Sequence, residues 1–254
     1  MARVIAVANQ KGGVGKTTTA ASLGAALAER GRPTLLVDLD PQAALTAGFG
    51  IDSYGLERTI YDALTDPAET PIAEVRYNLR PHLDIIPSNI DLAAAEIELV
   101  VMEGRESILK RALEPLLPAY SYILIDTPPS LGLLTINALV VAGELIVPLQ
   151  CEYLAMRGVR VLLDTIWKVK RQLNPNLDLL GILPTMYSVR STHNQEVLQE
   201  VRSIFGDKVF DVTVLKSVRF AEAPVAQQTI LEYDGRHAGA RAYRALAEVV
   251  DDQK

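Results

Sequence analysis

A short apolar run, Val4–Ala8, stops at Asn9-Gln10 and passes into Lys11-Gly12-Gly13-Val14-Gly15-Lys16-Thr17-Thr18, behind which a helical pattern opens at once. Strand, glycine-rich turn, helix in direct succession constrains this chain more than any other feature. Glycine lets the backbone fold tightly enough to turn several N–H groups toward one centre, and the helix N-terminus adds partial positive charge there. The centre so made suits phosphate oxygens. Lys16 is placed to bridge terminal phosphates, and the Thr17 hydroxyl to ligate Mg²⁺. The usual spacing G-x-x-x-x-G-K-[ST] is not met, because Gln10 stands where its first glycine belongs. The pattern present is K-G-G-x-x-K-[ST], with a second lysine, Lys11, at the start of the loop.

The rest of the chain repeats the alternation. Thr34–Asp38, Leu83–Ile86, Tyr122–Asp126, Leu145–Leu149 and Leu179–Leu183 read as strands, and their near-continuous apolar character predicts burial on both faces. Helical stripes lie between them: Thr17–Arg30, a long stretch over Asp91–Leu117 entered through a turn at Ser88-Asn89-Ile90 with Asp91 as cap, Val159–Leu173, and a last helix over about Arg236–Val250. Asp66–Pro71 is the best loop candidate. The sequence therefore predicts one α/β domain over residues 1–254, a mostly parallel twisted sheet with helices on both faces.

Two strands end on acid. Leu36-Val37-Asp38-Leu39-Asp40-Pro41-Gln42 places Asp38 and Asp40 on one side of an extended chain, at the carboxyl end of a strand where open α/β sheets bind ligands. Tyr122-Ile123-Leu124-Ile125-Asp126-Thr127-Pro128-Pro129 ends the same way, and an aspartate there is suited to holding Mg²⁺-bound water, though helix capping is the common alternative use. The chemistry asks for no histidine or cysteine. The one cysteine, Cys151, excludes a disulfide framework and any multi-thiolate metal or cluster site within one chain, and the three histidines follow no ligand spacing.

These motifs resemble those of the ParA/MinD superfamily of ATPases, whose P-loop carries the same deviant double-lysine pattern. The likeness runs from about Val4 to Leu246 and includes Ile86-Pro87-Ser88-Asn89, Gln150-Cys151-Glu152-Tyr153, Leu183-Pro184-Thr185-Met186 and Val218-Arg219-Phe220-Ala221-Glu222-Ala223-Pro224. It is nearest the small chromosomal, Soj-type ParA proteins, without the N-terminal helix-turn-helix extension of large plasmid ParA proteins. The resemblance implies an ATP/ADP and Mg²⁺ cofactor pair and an ATP-dependent homodimer. Lys11 then reaches the partner's nucleotide, while Lys16, Thr17 and Thr18 act in cis with Gly12, Gly13, Val14 and Gly15. Asp40 orients the attacking water, Asp38 and Asp126 join Thr17 around the metal, and Pro184 and Met186 lie on the base side.

It further implies nonspecific binding of double-stranded DNA through Arg190, Lys216 and Arg219, a ParB-like stimulating partner, no membrane attachment, and a cytoplasmic, nucleoid-associated protein that partitions chromosomes or plasmids. A MinD-like membrane-recruited regulator and a ParA-like positioner of protein clusters are the alternatives. The sequence departs from the family at Val214-Leu215, Val225-Ala226-Gln227 and Ser188, near the expected base pocket and DNA face.

Charge bears on the DNA expectation. The chain carries a net −6, and from Thr185 to Lys254 nine Lys/Arg stand against ten Asp/Glu, so this stretch is not a basic tail. An acidic chain is a poor nucleic-acid binder by its sum, but the sum says nothing of a single face. Any basic patch has to be built by folding and pairing of chains.

Overall fold

The computed structural model describes residues 2–152 and 155–252; of the side chains of 155–161 nothing is said, so Tyr153 and the side chain of Val159 lie outside the described residues. Seven strands, β1 (Arg3–Val7), β2 (Thr34–Asp38), β3 (Tyr77–Arg80), β4 (Leu83–Ile86), β5 (Tyr122–Asp126), β6 (Glu144–Gln150) and β7 (Asp178–Thr185), form one sheet in the order β3-β4-β2-β5-β1-β6-β7. All neighbours are parallel except β3 with β4.

Side-chain alternation divides each central strand between two cores. On one face Val4, Ala6, Leu35, Val37, Ile123, Ile125, Leu145 and Val147 pack with α3 (Ile60–Thr65), α4 (Leu92–Glu98), α5 (Ile108–Leu113), α6 (Leu133–Val141), α7 (Ala155–Gln172) and α8 (Thr192–Phe205). On the other, Ile5, Leu36, Tyr122, Leu124 and Ile146 pack with α1 (Lys16–Glu29), α2 (Ala44–Gly48), α10 (Ile230–Tyr233) and α11 (Ala238–Asp252). The short α9 (Arg219–Val225) leads into α10. Burial on both faces is why these strands read as unbroken apolar runs.

The six strands expected from sequence are present, with shifts of one to two residues at some ends. The antiparallel edge strand β3 has no counterpart among those expectations: Tyr77-Asn78-Leu79-Arg80 is half polar and two of its four residues are exposed, so it carries no apolar run. The single long helix expected over Asp91–Leu117 is corrected to α4, two 3₁₀ turns, α5 and a third 3₁₀ turn. Gly104 in the left-handed region (φ 65°) breaks it, and Pro115 and Pro118 prevent regular helix at its end. Asp91 stands at the N-cap position of α4 but makes no capping hydrogen bond; it accepts one from the Asn89 side chain instead (2.8 Å).

Because the strands run parallel, β1, β2, β5, β6 and β7 all end at one edge. Val7 pairs with Asp126, Asp38 with Asp126, and Gln150 with Thr185. The chain's phosphate loop, both acidic strand ends and the base-side segment are thereby brought together.

Candidate nucleotide site

The loop between β1 and α1 is held from three sides. Asn9, buried, donates to the Pro148 carbonyl of β6 (2.7 Å) and accepts the Lys11 N–H (3.0 Å). From β7 the Thr185 hydroxyl donates to the Val14 carbonyl (2.8 Å), and from the end of β5 the Thr127 hydroxyl donates to the Val7 carbonyl (3.0 Å). Gly13 and Gly15 take φ of 72° and 89°, conformations closed to most side chains, and Gly15 immediately precedes α1. Lys16, 7% exposed, donates to the Lys11 carbonyl (3.3 Å), so its ammonium curls over the loop. Burial lowers its pKa, against the opposing pull of Asp126 and Asp40.

Lys11 points elsewhere. Its ammonium meets the Glu152 carboxylate (2.6 Å) and the Gln150 amide oxygen (3.1 Å) at and just past the end of β6, and its side chain stays 39% exposed. Glu152 is held below the usual carboxylate range by that lysine.

Asp38 and Asp126 are fully buried, and burial is the main cause that raises both pKa values, Asp38 to about 6 and Asp126 well above its ordinary range, where Asp38 adds to the effect. They differ in partners. Asp38 accepts from the Thr46 N–H (2.8 Å), the Thr46 hydroxyl (2.7 Å) and the Asp40 N–H (3.2 Å). Its carboxylate thus pins the segment from Asp40 to α2. Asp126 has neither oxygen hydrogen-bonded, though Thr17 and Lys16 lie near enough to favour its charged form.

Two buried carboxylate oxygens without a partner, beside a threonine hydroxyl and a lysine, fit a hydrated Mg²⁺ held between Thr17 and Asp126. Among the described residues no group of three or more His, Cys, Asp or Glu is placed to hold a metal ion.

Asp40, 9% exposed, accepts the Gln42 N–H (3.0 Å), and its carbonyl is held by the Ser88 hydroxyl (2.9 Å). It is therefore positioned by the β4 exit, a role for Ser88 that the sequence does not show. Ser88 in turn donates its N–H to the Thr46 hydroxyl (2.9 Å).

Beside the loop lies a cavity of about 270 Å³ lined by Gly15, Thr18, Thr185, Met186, Leu215 and Phe220, among others. Met186 in this lining has a φ of 49°. Pro184 is not in that lining, and its carbonyl accepts the Val214 N–H (2.9 Å). Leu215 belongs to the departure from the family pattern expected near the base pocket, whereas nothing in the sequence shows that Phe220, in α9, faces this cavity.

The three basic residues expected to meet DNA are all exposed. Lys216 donates its N–H to the Tyr187 carbonyl (3.0 Å), which ties the segment of Lys216 to that of Arg190. Arg219 is already engaged by Glu222 (2.8 Å) and stands over the Tyr233 ring (5.9 Å). Cys151 is buried, and burial pushes its thiol up to about 11, as befits a core residue.

A family model described as an AAA domain matches residues 2–179. The Bacillus subtilis sporulation initiation inhibitor protein Soj is 47% identical over 250 residues, covering 98% of this chain and 98% of that protein. The chromosome partitioning protein ParA of Caulobacter vibrioides is 46% identical over 250 residues, covering 98% and 93%. The crystal structure of a Mycobacterium smegmatis protein described as cobyrinic acid a,c-diamide synthase, with bound ADP and magnesium, superposes with a TM-score of 0.86 at 44% identity, covering 98% and 93%. The chain belongs to the ParA/Soj family of P-loop ATPases.

Proposed function

We propose that this protein is a Mg²⁺-dependent ATPase that closes into a nucleotide-bridged homodimer, binds duplex DNA without sequence preference in that state, and drives chromosome or plasmid partitioning with a ParB-like partner. The observation that carries the reading is the divergence of the two loop lysines. Lys16 is buried over its own loop, whereas the Lys11 ammonium leaves it and is held by the half-exposed Glu152 and by Gln150. A lysine so placed serves a phosphate on another molecule better than its own.

The cycle follows from the residues. The N–H groups from Gly12 to Thr18 cradle phosphates, with Lys16 neutralising charge in cis. Thr17 and Asp126 hold Mg²⁺, which supplies charge neutralisation at the transferring phosphoryl group. Asp40 orients water. Lys11 exchanges Glu152 for the partner's nucleotide and so makes pairing depend on ATP. Pairing sets Arg190, Lys216 and Arg219 of two chains side by side, enough cationic surface for phosphate contacts though each chain is acidic.

Light scattering with and without ATP tests the reading: a doubling of mass with ATP that Lys11→Ala abolishes supports it, and a monomer at all ATP concentrations overturns it. A membrane-recruited alternative draws no support from α11, whose apolar stripe Ala240, Tyr243, Leu246, Ala247 and Val250 is buried in the core, and no described helix is long and apolar enough to cross a membrane. The diamide synthase description of the mycobacterial protein names a different activity; ATP turnover with no added organic substrate separates the two.

A further inference from the structure

His237 stands immediately before α11 and is tied at both ring nitrogens. Its Nδ1 accepts the Gly239 N–H (2.9 Å), as an N-cap side chain does, and its Nε2 lies 3.2 Å from the Ser217 hydroxyl. A proton on Nδ1 would face the Gly239 N–H, so the ring's proton sits on Nε2, and His237 donates to Ser217. The Ser217 oxygen also accepts the Arg219 N–H (3.2 Å). A hydroxyl accepts two hydrogen bonds and donates one. Both acceptor places on Ser217 are therefore filled, and among the described residues its own O–H has no acceptor.

Ser217 lines the cavity of about 270 Å³ beside the phosphate loop, next to the apolar side chains of Met186, Val214, Leu215 and Phe220. Two other hydroxyls in that wall are already engaged: Thr185 donates to the Val14 carbonyl (2.8 Å), and Tyr243 pairs with the Thr19 hydroxyl (3.1 Å). Phe220 stands at right angles to the rings of His237 (centroids 6.1 Å apart) and Tyr243 (6.2 Å). One histidine thus steadies both an aromatic wall of the cavity and the hydroxyl beside it.

We infer that Ser217 reads the base of the nucleotide by donating its O–H to a ring nitrogen of adenine, and that His237 is the positioning residue that aims it. This rests on the reading of the cavity as the base side of the nucleotide site. Two N–H groups hold the Ser217 oxygen, so the hydroxyl cannot turn round to accept, and its preference for an acceptor is fixed. Adenine meets that preference: it is a flat ring, suited to apolar walls, whose N1, N3 and N7 are acceptors. Guanine carries N–H donors at N1 and on its 2-amino group, which a fixed donor opposes.

Calorimetric titration of the full-length protein tests this with ADP, which is not turned over, and with its 1-deaza, 3-deaza and 7-deaza analogues, each of which replaces one acceptor nitrogen by C–H. Wild type is expected to bind one analogue about three- to tenfold more weakly than ADP, and Ser217→Ala to bind that analogue and ADP alike. No preference in wild type, or a preference that survives in Ser217→Ala, overturns the inference. Asn caps a helix but is too short to reach Ser217 from this position, so His237→Asn is expected to keep the wild-type Tm and lose the preference. A wild-type preference in His237→Asn overturns the positioning role. The base-side reading is checked separately with Leu215→Trp, which fills the cavity and is expected to weaken ADP while leaving pyrophosphate binding unchanged. ADP bound by Leu215→Trp as tightly as by wild type moves the base out of this cavity and overturns the inference with it. Weakened ADP binding there, beside an unaltered preference in Ser217→Ala, overturns the Ser217 assignment alone.

Discussion

Asp38 and Asp126 face each other in the register of β2 and β5, and the fold satisfies only one of them: Asp38 accepts three hydrogen bonds, Asp126 none. Burial, with the neighbouring Asp38 charge adding to it, therefore raises the Asp126 pKa well above the usual carboxylate range. Binding of Mg²⁺ requires the carboxylate, so it releases a proton. The stabilisation by Mg²⁺-ATP, read as the rise in Tm, is expected to be larger at pH 8 than at pH 6. Asp126→Asn is expected to raise the Tm of the ligand-free protein while removing the Mg²⁺ dependence. A ligand-induced shift independent of pH counts against this.

Asp40 is oriented by contacts to Gln42 and Ser88, so its own removal leaves the phosphate loop intact. Asp40→Ala is expected to bind ATP normally and to lose at least about 100-fold in turnover, the usual worth of a positioned base or water-orienting group. Turnover like wild type removes Asp40 from the chemistry. Ser88→Ala, which frees the Asp40 carbonyl, is expected to give a smaller loss in the same direction.

The cation of Arg219 is engaged by Glu222, although it is the residue expected to meet DNA. Glu222→Gln is expected to tighten ATP-dependent binding to random-sequence duplex, and Arg219→Glu to weaken it, both effects shrinking as salt rises. A filter-binding or anisotropy titration at two salt concentrations checks this. Equal affinity of all three proteins at low salt excludes Arg219 from the contact.

At the far end of the sheet, Asp251 of α11 is buried and bound by Arg32 (3.0 Å), Arg30 (3.3 Å) and the Tyr122 hydroxyl (2.9 Å), which holds its carboxyl far below the usual range despite the opposing effect of burial. A depressed carboxylate pKa adds stability above its unfolded value, about 4, and loses it as pH falls toward the folded value. Asp251→Asn is expected to cost about 1–3 kcal/mol at pH 7, since the arginines are partly solvated. Urea unfolding should show that difference shrinking below pH ~4.

Gly24 on α1 is a packing glycine, since a β-carbon there would lie 2.5 Å from Leu36 Cδ2 of β2. Gly24→Ala improves helix propensity by about 1 kcal/mol but overpacks a rigid core by about 1–3 kcal/mol. The net expectation is destabilisation, measured by thermal melting. Gly24→Ala/Leu36→Val, which makes room, should recover part of it.

Legibility in the sequence followed burial. β2 and β5 are buried at every position, and their apolar runs mark both ends of each strand. β3 exists because β4 offers it a hydrogen-bonding edge; its own residues carry no such record. The broken helix past Asp91 shows the same limit, since apolar spacing continues through Gly104 while the backbone does not. A local pattern singles out Lys11 and Lys16 in the glycine-rich loop and Asp38, Asp40 and Asp126 at strand ends, and the parallel strands bring these segments to one sheet edge. Asn9, Thr46, Ser88, Glu152 and Thr185 act through partners up to 171 positions away, and nothing in their neighbours announces it.

The sequence by itself determined the loop chemistry, the parallel α/β architecture and the acids available to it, because backbone conformation and strand burial are local properties. Tertiary structure alone decided how the similar acids divide their work. Thr46 of α2 donates twice to Asp38 while neither Asp126 oxygen is hydrogen-bonded, so one carboxylate tethers a segment of chain and the other stays buried without a partner.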